Sequence, residues 1–192
     1  MSFESVLKSI AKHINLDKEE TTLFQSLVKS KTVIKKTLLL NAGENCKYLF
    51  YVQSGALRAF YLDKEGKEST IMFAVADWWV TDMYCYLNSK PAMMYIEALE
   101  DSQVLQLSKE GFEKLLIDVP KFEKFFRILM QNAYTREQLR IIENLSSSAE
   151  DRYESFFRKY PHIAKMLKQK QIASYLGITP EHLSAMKKIK KS

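Results

Sequence analysis

The stretch KMLKQKQIASYLGITPEHLSAMKKIKKS, residues Lys165–Ser192, determines how the C-terminal end of this chain folds. Its apolar residues follow helical spacing on both sides of a break at Gly177. Gly177 can adopt the positive φ of a tight turn, and Thr179 followed by Pro180 is typical of a helix start. Small Ala173 lets a second helix approach closely. The stretch therefore predicts a helix-turn-helix, and its basic character points to DNA.

Positive charge is concentrated at this same end of the chain. From Phe157 to Ser192 there are nine Lys and Arg residues and one acid, a net charge of +8. The other 156 of the 192 residues carry 20 basic and 22 acidic groups, or −2, which accounts for the overall +6. A nearly neutral body with a basic end indicates a phosphate-binding module joined to a different kind of domain.

Composition excludes several classes of protein. No apolar run approaches the ~18 to 20 residues that cross a bilayer, and residues 1–14 lack the continuous apolar core of a signal peptide, so we expect a cytoplasmic protein without a membrane partner. Cys46 and Cys85 are too few for an iron–sulfur site and lack zinc spacing. We interpret them as small, half-buried core residues, with a redox or metal role as the alternative.

The N-terminal part predicts two short helices followed by many short strands. Residues 3–30 have apolar residues at helical spacing. The strand segments are VIKKTLLL, YLFYVQ, ALRAFYL, ESTIMFAV, MYIEAL and VLQLS. They are separated by turn sequences such as Ser54-Gly55 and Asp63-Lys64-Glu65-Gly66. Such closely spaced strands predict an antiparallel barrel or jelly roll.

Helices return after Ser108, which is a plausible N-cap for KEGFEKLLID, and Pro120 ends that helix. A long helix is predicted over residues 121–145. It carries a 4-3-4-3 seam of Ile128, Asn132, Thr135, Leu139 and Ile142, and a second apolar set of Phe122, Phe125, Phe126 and Leu129. We expect one set to pack on the chain's own roll and the other on the same helix of a second copy. The alternative is a helix packed only within its own chain.

The polar segment NLSSS, residues 144–148, is the best domain boundary, and a further helix is predicted over Ala149–Tyr160. The predicted fold class is therefore α+β: an N-terminal antiparallel β-roll or jelly roll, a long dimerisation helix and a small C-terminal helix-turn-helix domain. The predicted boundaries are 1–120, 121–145 and 146–192. Because the sequence given stops at Ser192, we expect no β-wing.

This order of elements resembles the Crp/Fnr family of bacterial transcription regulators. The resemblance rests on YLFYVQSGALRAFYLDKEGKE, EALEDSQVLQLSKEGFEKLL and QIASYLGITPEHLS, and it covers nearly the whole chain. It implies an effector-sensing β-roll resembling a cyclic-nucleotide-binding domain, a two-fold dimer and a DNA-reading helix in each subunit. Double-stranded DNA and a second copy are the expected partners, and RNA polymerase is a further candidate.

The reading helix is expected from about Pro180 to Ile189, with Leu183 and Met186 facing the core. In the family's usual pattern two Arg residues flank a Glu. Here Glu181 matches the acid, whereas Pro180 and Ala185 replace the arginines, so the family's target sequence cannot be transferred. The predicted DNA-binding residues are Lys170, Thr179, Glu181, His182, Ser184, Lys187 and Lys188. The basic segment KKIKK suits phosphate, or it is a solvated tail.

The nucleotide-binding cassette of the family corresponds to TDMYCYLNSKPAMMYIEAL in this chain. The family's Gly-Glu pair becomes Thr81 and Asp82, and its Arg-Ser pair becomes Ala92 and Met93. Without the Arg, tight binding of cyclic AMP is not expected, because a buried phosphate would lack a paired charge. The predicted effector pocket comprises Thr81, Asp82, Met83, Ala92, Met93 and Thr135. It either holds an uncharged small molecule or is filled by apolar side chains.

No catalytic motif is evident: HExxH, a P-loop, G-x-S-x-G and a dinucleotide-binding glycine pattern are all absent from the sequence. We therefore expect neither an enzyme nor a bound cofactor or metal. The leading interpretation is a homodimeric DNA-binding transcription regulator. The alternative is a protein-interaction module with a cyclic-nucleotide-binding fold and no sequence-specific DNA binding.

Overall fold

The computed structural model describes residues 3–189 of the chain, and the side chains of residues 3–188. Lys190 and Lys191 of the predicted basic segment, and the predicted absence of a wing after Ser192, lie outside these residues. The described helices are α1 (Glu4–Ala11), α2 (Lys18–Leu27), α3 (Met83–Asn88), α4 (Lys109–Asp118), α5 (Lys121–Ser146), α6 (Ala149–Lys159), α7 (Gln169–Leu176) and α8 (Pro180–Ile189), with a 3₁₀ turn at Ile163–Lys165.

Within residues 3–189, eight strands form two four-stranded antiparallel sheets, which confirms the predicted β-roll. The strands are β1 (Val28–Val33), β2 (Leu38–Leu40), β3 (Tyr48–Ser54), β4 (Ala56–Leu62), β5 (Glu68–Val75), β6 (Trp79–Val80), β7 (Tyr95–Ala98) and β8 (Ser102–Ser108). Their order is β1-β8-β3-β6 in one sheet and β2-β7-β4-β5 in the other. β5 therefore lies at the edge of the second sheet.

The structure corrects two sequence predictions near the start of the roll. VIKKTLLL is not one strand, because β1 ends at Val33 and β2 begins at Leu38 in the other sheet. Lys36 lies between them with φ +71°, a left-handed conformation that breaks a strand, and its N–H donates to Ala98 O at 2.7 Å. Val28 begins β1 instead of continuing the preceding helix, because it pairs with Leu107 of β8.

Two hydrophobic clusters stabilise the roll. One lies between the sheets and includes Val52, Leu57, Ile96 and Val104. The other lies between the first sheet and helices α1, α2, α4 and α5, where Phe24 and Phe122 stack with ring centroids 5.5 Å apart. Ser108 caps α4 by accepting from the N–H of Gly111, as the sequence predicted.

Helix α5 begins after Pro120 and ends at Ser146, one residue later than predicted. The non-helical segment before α6 therefore consists of only Ser147 and Ser148. Its first apolar set is buried: Phe122, Phe125 and Phe126 belong to the roll's core. No helix among residues 3–189 is long and apolar enough to cross a membrane.

The C-terminal helices pack against the outer surface of the second sheet. Phe73 of β5 contacts three aromatic rings from this end of the chain, with centroid distances of 5.8 Å to Phe156, 5.8 Å to Tyr160 and 5.1 Å to Tyr175. Ala56 and Leu99 belong to the same cluster. The helix-turn-helix and the roll therefore share a continuous apolar core in this structure.

Candidate functional site

The two helices α7 and α8 meet at the tight turn that the sequence predicted. Gly177 ends α7 with φ +69°, and the N–H of Ile178 donates to Ala173 O at 3.0 Å. The hydroxyl of Thr179 accepts the N–H of His182 at 3.1 Å, which caps the first turn of α8. A left-handed residue followed by a capped helix start fixes the crossing of the two helices.

One face of α8 holds the helix in place and the other is exposed. Leu183 and Met186 are buried at 0% and 4% exposure, together with Ala173 and Leu176 of α7. On the opposite face, Glu181, His182 and Lys188 are exposed, whereas Lys187 is half-buried. The helix can therefore present its outer side chains to a partner without losing its own packing.

The remaining predicted DNA-binding residues lie around the start of this helix pair. Lys170 and Thr179 are exposed, and Ser184 is half-buried and donates to Gln169 Oε1 at 3.1 Å. This bond joins α8 to the first turn of α7. The bond brings Ser184 of α8 close to the first turn of α7, which also carries Lys170.

Charge along α8 follows the helix dipole. Glu181 lies in the first turn, where the dipole favours a negative group, and Lys187 and Lys188 lie in the last turn, where it favours positive groups. The lysine end is attractive to phosphate, while Glu181 and His182 offer an acceptor and a donor that can read base edges. The geometry suits phosphate contacts at one end of the helix and base contacts at the other.

The back of the helix-turn-helix is attached to the roll by a serine that the sequence analysis did not identify. Ser174 Oγ of α7 accepts the N–H of Thr70 at 2.7 Å and donates to Glu68 O at 2.8 Å. Both partners belong to β5, whose outer edge has no neighbouring strand. Ser174 therefore satisfies backbone groups at the edge of a strand that α7 covers, where Thr70 is only 3% exposed.

Aromatic hydroxyl groups are buried beside this attachment. Burial raises the pKa of Tyr160 well above its ordinary value, with a further increase from neighbouring Tyr175, and burial also raises the pKa of Tyr175. Arg140 of α5 lies over the Tyr175 ring at 5.5 Å, and Arg136 lies over the Trp78 ring at 4.3 Å. The long helix, the roll and the helix-turn-helix are thus in mutual contact.

The predicted effector cassette is organised around Asp82, which is 1% exposed. Its Oδ1 accepts the N–H of Cys85 at 3.1 Å and caps α3. Its Oδ2 accepts the N–H groups of Met93 and Met94 at 2.7 and 3.1 Å. The carboxylate is therefore occupied by the chain's own backbone and holds the two ends of the cassette together.

The other predicted pocket residues are dispersed. Thr81 is buried and donates to Tyr48 O at 2.9 Å, Ala92 is buried and Met83 is half-buried, whereas Met93 is 54% exposed. Thr135 is exposed on α5. Within the part of the chain that the structure describes, none of these six residues lines any of five separate surface hollows. The geometry of the single chain favours the filled cassette over the open pocket.

The two cysteines are close to each other at this end of the roll. The N–H of Cys46 lies 2.9 Å from Cys85 Sγ, and Cys46 Sγ lies 3.7 Å from Asp82 O. Burial raises the pKa of the Cys46 thiol far above its ordinary value, which disfavours the reactive thiolate. Among residues 3–189 no group of three His, Cys, Asp or Glu side chains has the arrangement of a metal site.

Comparisons with known proteins agree with this geometry. A family model described as a cyclic nucleotide-binding domain matches residues 31–118. The chain is 24% identical over 181 residues to the fumarate and nitrate reduction regulatory protein of Vibrio cholerae, covering 88% of this chain and 72% of that protein. It is 29% identical over 117 residues to the anaerobic regulatory protein of Bacillus subtilis, covering 61% and 48% of the two chains.

Solved structures share the fold. A protein assigned to the crp/fnr family of transcriptional regulators from Eubacterium rectale aligns with a TM-score of 0.74 at 23% identity, covering 89% of this chain and 82% of that one. The c-di-GMP-responsive global regulator CLP of Xanthomonas campestris aligns with a TM-score of 0.72 at 13% identity, covering 91% and 92%. The alignments extend through both the roll and the C-terminal helices.

Proposed function

We propose that this chain is a transcriptional regulator of the Crp/Fnr type and that it binds double-stranded DNA as a homodimer. The observation that carries the proposal is the architecture of α8, whose buried Leu183 and Met186 leave an outer face of polar and basic side chains exposed. An interaction module without DNA binding would not require nine basic residues and a single acid after residue 156.

We assign the DNA contacts to the two ends of α8 and the start of α7. Lys170 and Lys187 are positioned for phosphate, and Glu181, His182 and Ser184 for base edges. With Pro180 and Ala185 in place of arginines, fewer direct base contacts are available. Specificity should therefore depend strongly on the paired half-sites of a dimer.

The dimer is proposed to form through the long helix α5. Leu139 and Ile142 of the predicted seam are 55% and 57% exposed in the single chain. Such exposure in a single chain is expected for a coiled-coil seam that becomes buried against the partner helix in the dimer. A second exposed strip on α5, formed by Tyr134, Ile141 and Leu145, lies about 100° further around the helix.

The input to the proposed regulator is not cyclic AMP. A cyclic phosphate would need a paired cation, and Ala92 and Met93 stand where the family has Arg and Ser. The carboxylate of Asp82, at the position of the family's Glu, is already bound to backbone N–H groups. The effector, if the roll has one, is expected to be a different molecule. We further propose a cytoplasmic location, contact with RNA polymerase as a further interaction, and no enzymatic role.

A salt-dependence measurement tests the DNA contacts. Fluorescence anisotropy should detect binding to selected genomic fragments at about 200 mM salt in the presence of competitor DNA. Lys187→Gln should reduce the slope of log K against log salt by roughly 2 per dimer, because each phosphate contact contributes about 0.9. Lys31→Gln, on exposed strand β1, is the control with the same charge change and should leave the slope unaltered. Equal slopes for Lys187→Gln and wild type would exclude the assigned contact.

A matched pair of variants tests the dimer seam in the same assay. Ile142→Asp should yield a monomer by sedimentation equilibrium and weaken DNA binding at least tenfold. Ile141→Asp changes a neighbouring residue of nearly equal exposure, 56% against 57%, on the other strip of α5. It should remain dimeric. If only Ile141→Asp dissociates the dimer, the interface has been assigned to the wrong strip.

A further inference from the structure

A hollow of about 380 Å³ lies between the β-roll and the C-terminal helices. Its roll side is formed by the β1–β2 turn and by residues of β4, β5 and β7, and its other side by residues 166–168, 170 and 171. Leu57 and Ala59 of β4 face the interior of the roll, so Arg58 between them projects from the outer surface of the sheet. The hollow shares no lining residue with the predicted effector pocket of Thr81, Asp82, Met83, Ala92, Met93 and Thr135.

The floor of the hollow contains a buried arginine. The Arg58 side chain is 3% exposed, and its Nη2 donates to Glu68 Oε2 and to Glu97 Oε1 at 2.8 Å each. Its guanidinium carbon lies 4.1 Å from the centre of the Phe60 ring. Among the described atoms, Nε and Nη1 have no hydrogen-bond partner. A buried guanidinium with two unused donors is a costly arrangement that an acceptor group would relieve.

Four lysines surround this floor. Lys35 and Lys36 come from the β1–β2 turn, and Lys168 and Lys170 come from the start of α7. All four are exposed, and within residues 3–188 none of their ammonium groups has an ion-pair partner. With Arg58, the hollow holds five cationic side chains against two carboxylates, an excess of three positive charges.

The backbone holds the lysines of the turn in place. The N–H of Lys35 donates to Asp101 Oδ1 at 2.8 Å, and the left-handed Lys36 donates its N–H to Ala98 O at 2.7 Å. A non-glycine residue with positive φ persists only where its surroundings require it, and such residues are concentrated at ligand-binding segments. The two cationic groups therefore extend from a fixed turn.

We propose that this hollow binds a small multivalent anion, such as a phosphorylated or tricarboxylate metabolite, and that the anion joins the helix-turn-helix to the roll. The negative groups of the anion pair with lysines from both sides of the hollow. The volume of the hollow is within the range of ordinary ligand pockets. Concave walls that include Leu99 and Met166, with carboxylates at the floor, favour a compact anion over the continuous backbone of DNA. The bound anion would provide the regulator with an input separate from the cassette.

Thermal unfolding of the full chain tests the proposal without DNA. Tripolyphosphate and citrate are titrated separately at constant ionic strength maintained with sodium chloride. At least one should raise the midpoint temperature with the logarithm of its concentration above Kd, by about 5 °C at concentrations some 100-fold above Kd. Calorimetric titration should give one site per subunit. No rise with either anion, a calorimetric isotherm that does not saturate, or another stoichiometry would overturn the proposal.

Matched double variants locate the site. Lys35→Gln with Lys168→Gln removes one charge from each side of the hollow and should weaken anion binding at least tenfold. Lys31→Gln with Lys124→Gln removes two exposed charges elsewhere and should retain wild-type affinity. Equal weakening in both variants would assign the effect to net charge and refute the site. Circular dichroism without anion checks that both variants are folded.

Lysine acetylation read by mass spectrometry provides a measurement that needs no variant. The stabilising anion should protect Lys35, Lys36, Lys168 and Lys170 together, with Lys31 and Lys124 unprotected. If a DNA duplex protects Lys35 and Lys36 while the anions do not, the surface is an extension of the DNA interface and the anion site is rejected. That outcome would leave the proposed DNA-binding function intact.

Discussion

The cassette around α3 and the helix-turn-helix of α7 and α8 use buried groups in opposite ways. In the helix-turn-helix, apolar Leu183 and Met186 hold the helix, and the polar side chains of α8 remain available on its outer face. In the cassette, the polar group itself holds the structure, because Asp82 accepts three backbone N–H groups. A position that corresponds to a family's motif can therefore retain a polar residue whose hydrogen-bonding capacity is taken up by the chain's own backbone.

Removal of the charge of Asp82 is expected to have the largest effect on stability. Asp82→Asn should destabilise the protein by about 3 kcal/mol, because hydrogen bonds to a charged acceptor contribute about 1.5 to 3 kcal/mol and the amide cannot accept at both ends. Urea denaturation measures the change. Asp17→Asn is the control: Asp17 caps α2 at the surface, where Asn caps equally well, and a change within about 0.5 kcal/mol is expected. Equal losses in the two variants would show that Asp82 does not hold the cassette.

A smaller effect is expected where the helix-turn-helix meets the roll. Ser174→Ala removes both hydrogen bonds to β5 and leaves the N–H of Thr70 without its acceptor. We expect a loss of about 1 to 3 kcal/mol in the free energy of unfolding and faster hydrogen exchange at Thr70. Ser184→Ala, which removes only the bond to Gln169 at the exposed side, should change stability by less than about 1 kcal/mol. Unchanged exchange at Thr70 would contradict the attachment.

The smallest effect concerns the buried tyrosines behind the helix-turn-helix. Burial raises the pKa of Tyr160, so the folded state favours the neutral phenol. Its contribution to stability is fully present below the ordinary tyrosine pKa of about 10 and is lost as pH rises above that value toward the folded pKa. In Tyr160→Phe, the midpoint temperature of thermal unfolding should therefore decrease less steeply between about pH 10 and 11 than in the wild type.

The exposed Tyr134 supplies the control for this pH series. Tyr134→Phe on α5 should retain the wild-type alkaline slope, since the residue is 66% exposed. Some slope should remain in Tyr160→Phe, because burial also raises the pKa of Tyr51, Tyr86 and Tyr175. Identical slopes for Tyr160→Phe and wild type would argue against a protected phenol at this contact.

Local signals in the sequence predicted much of the fold. Ser108 and Thr179 were identified as helix caps, Gly177 as the turn residue, and Leu183 and Met186 as the buried positions of α8, and the structure agrees. Each of these features depends on residues within about four positions of one another. The split between β1 and β2 was not predicted, because it depends on a contact between distant residues: the left-handed Lys36 donates its N–H to Ala98 O.

Contacts between distant segments could not be predicted in this way. Nothing about Ser174 in the sequence distinguishes it from an ordinary polar residue of a helix, yet its partners on β5 lie 104 and 106 residues away. The sequence around Arg58 also gave no signal of its role. An alternating strand pattern indicates that Arg58 lies on the outer face of the sheet, but not whether that face is exposed to solvent or covered by another domain. The DNA-binding residues and the boundaries of the three segments remain predictions, and the salt-dependence measurement addresses the contact assigned to Lys187.

The sequence by itself determined most of the order of helices and strands and the basic C-terminal end, because these depend on composition and short-range periodicity. Its resemblance to the Crp/Fnr family implied that the arginine for a cyclic phosphate is missing. Only the tertiary structure decided that the carboxylate of Asp82 is bound to backbone N–H groups, that Ser174 joins α7 to β5, and that Arg58 forms the floor of a cationic hollow. These contacts arise where separate segments meet, and their energies depend on burial and direction, which a linear pattern does not contain.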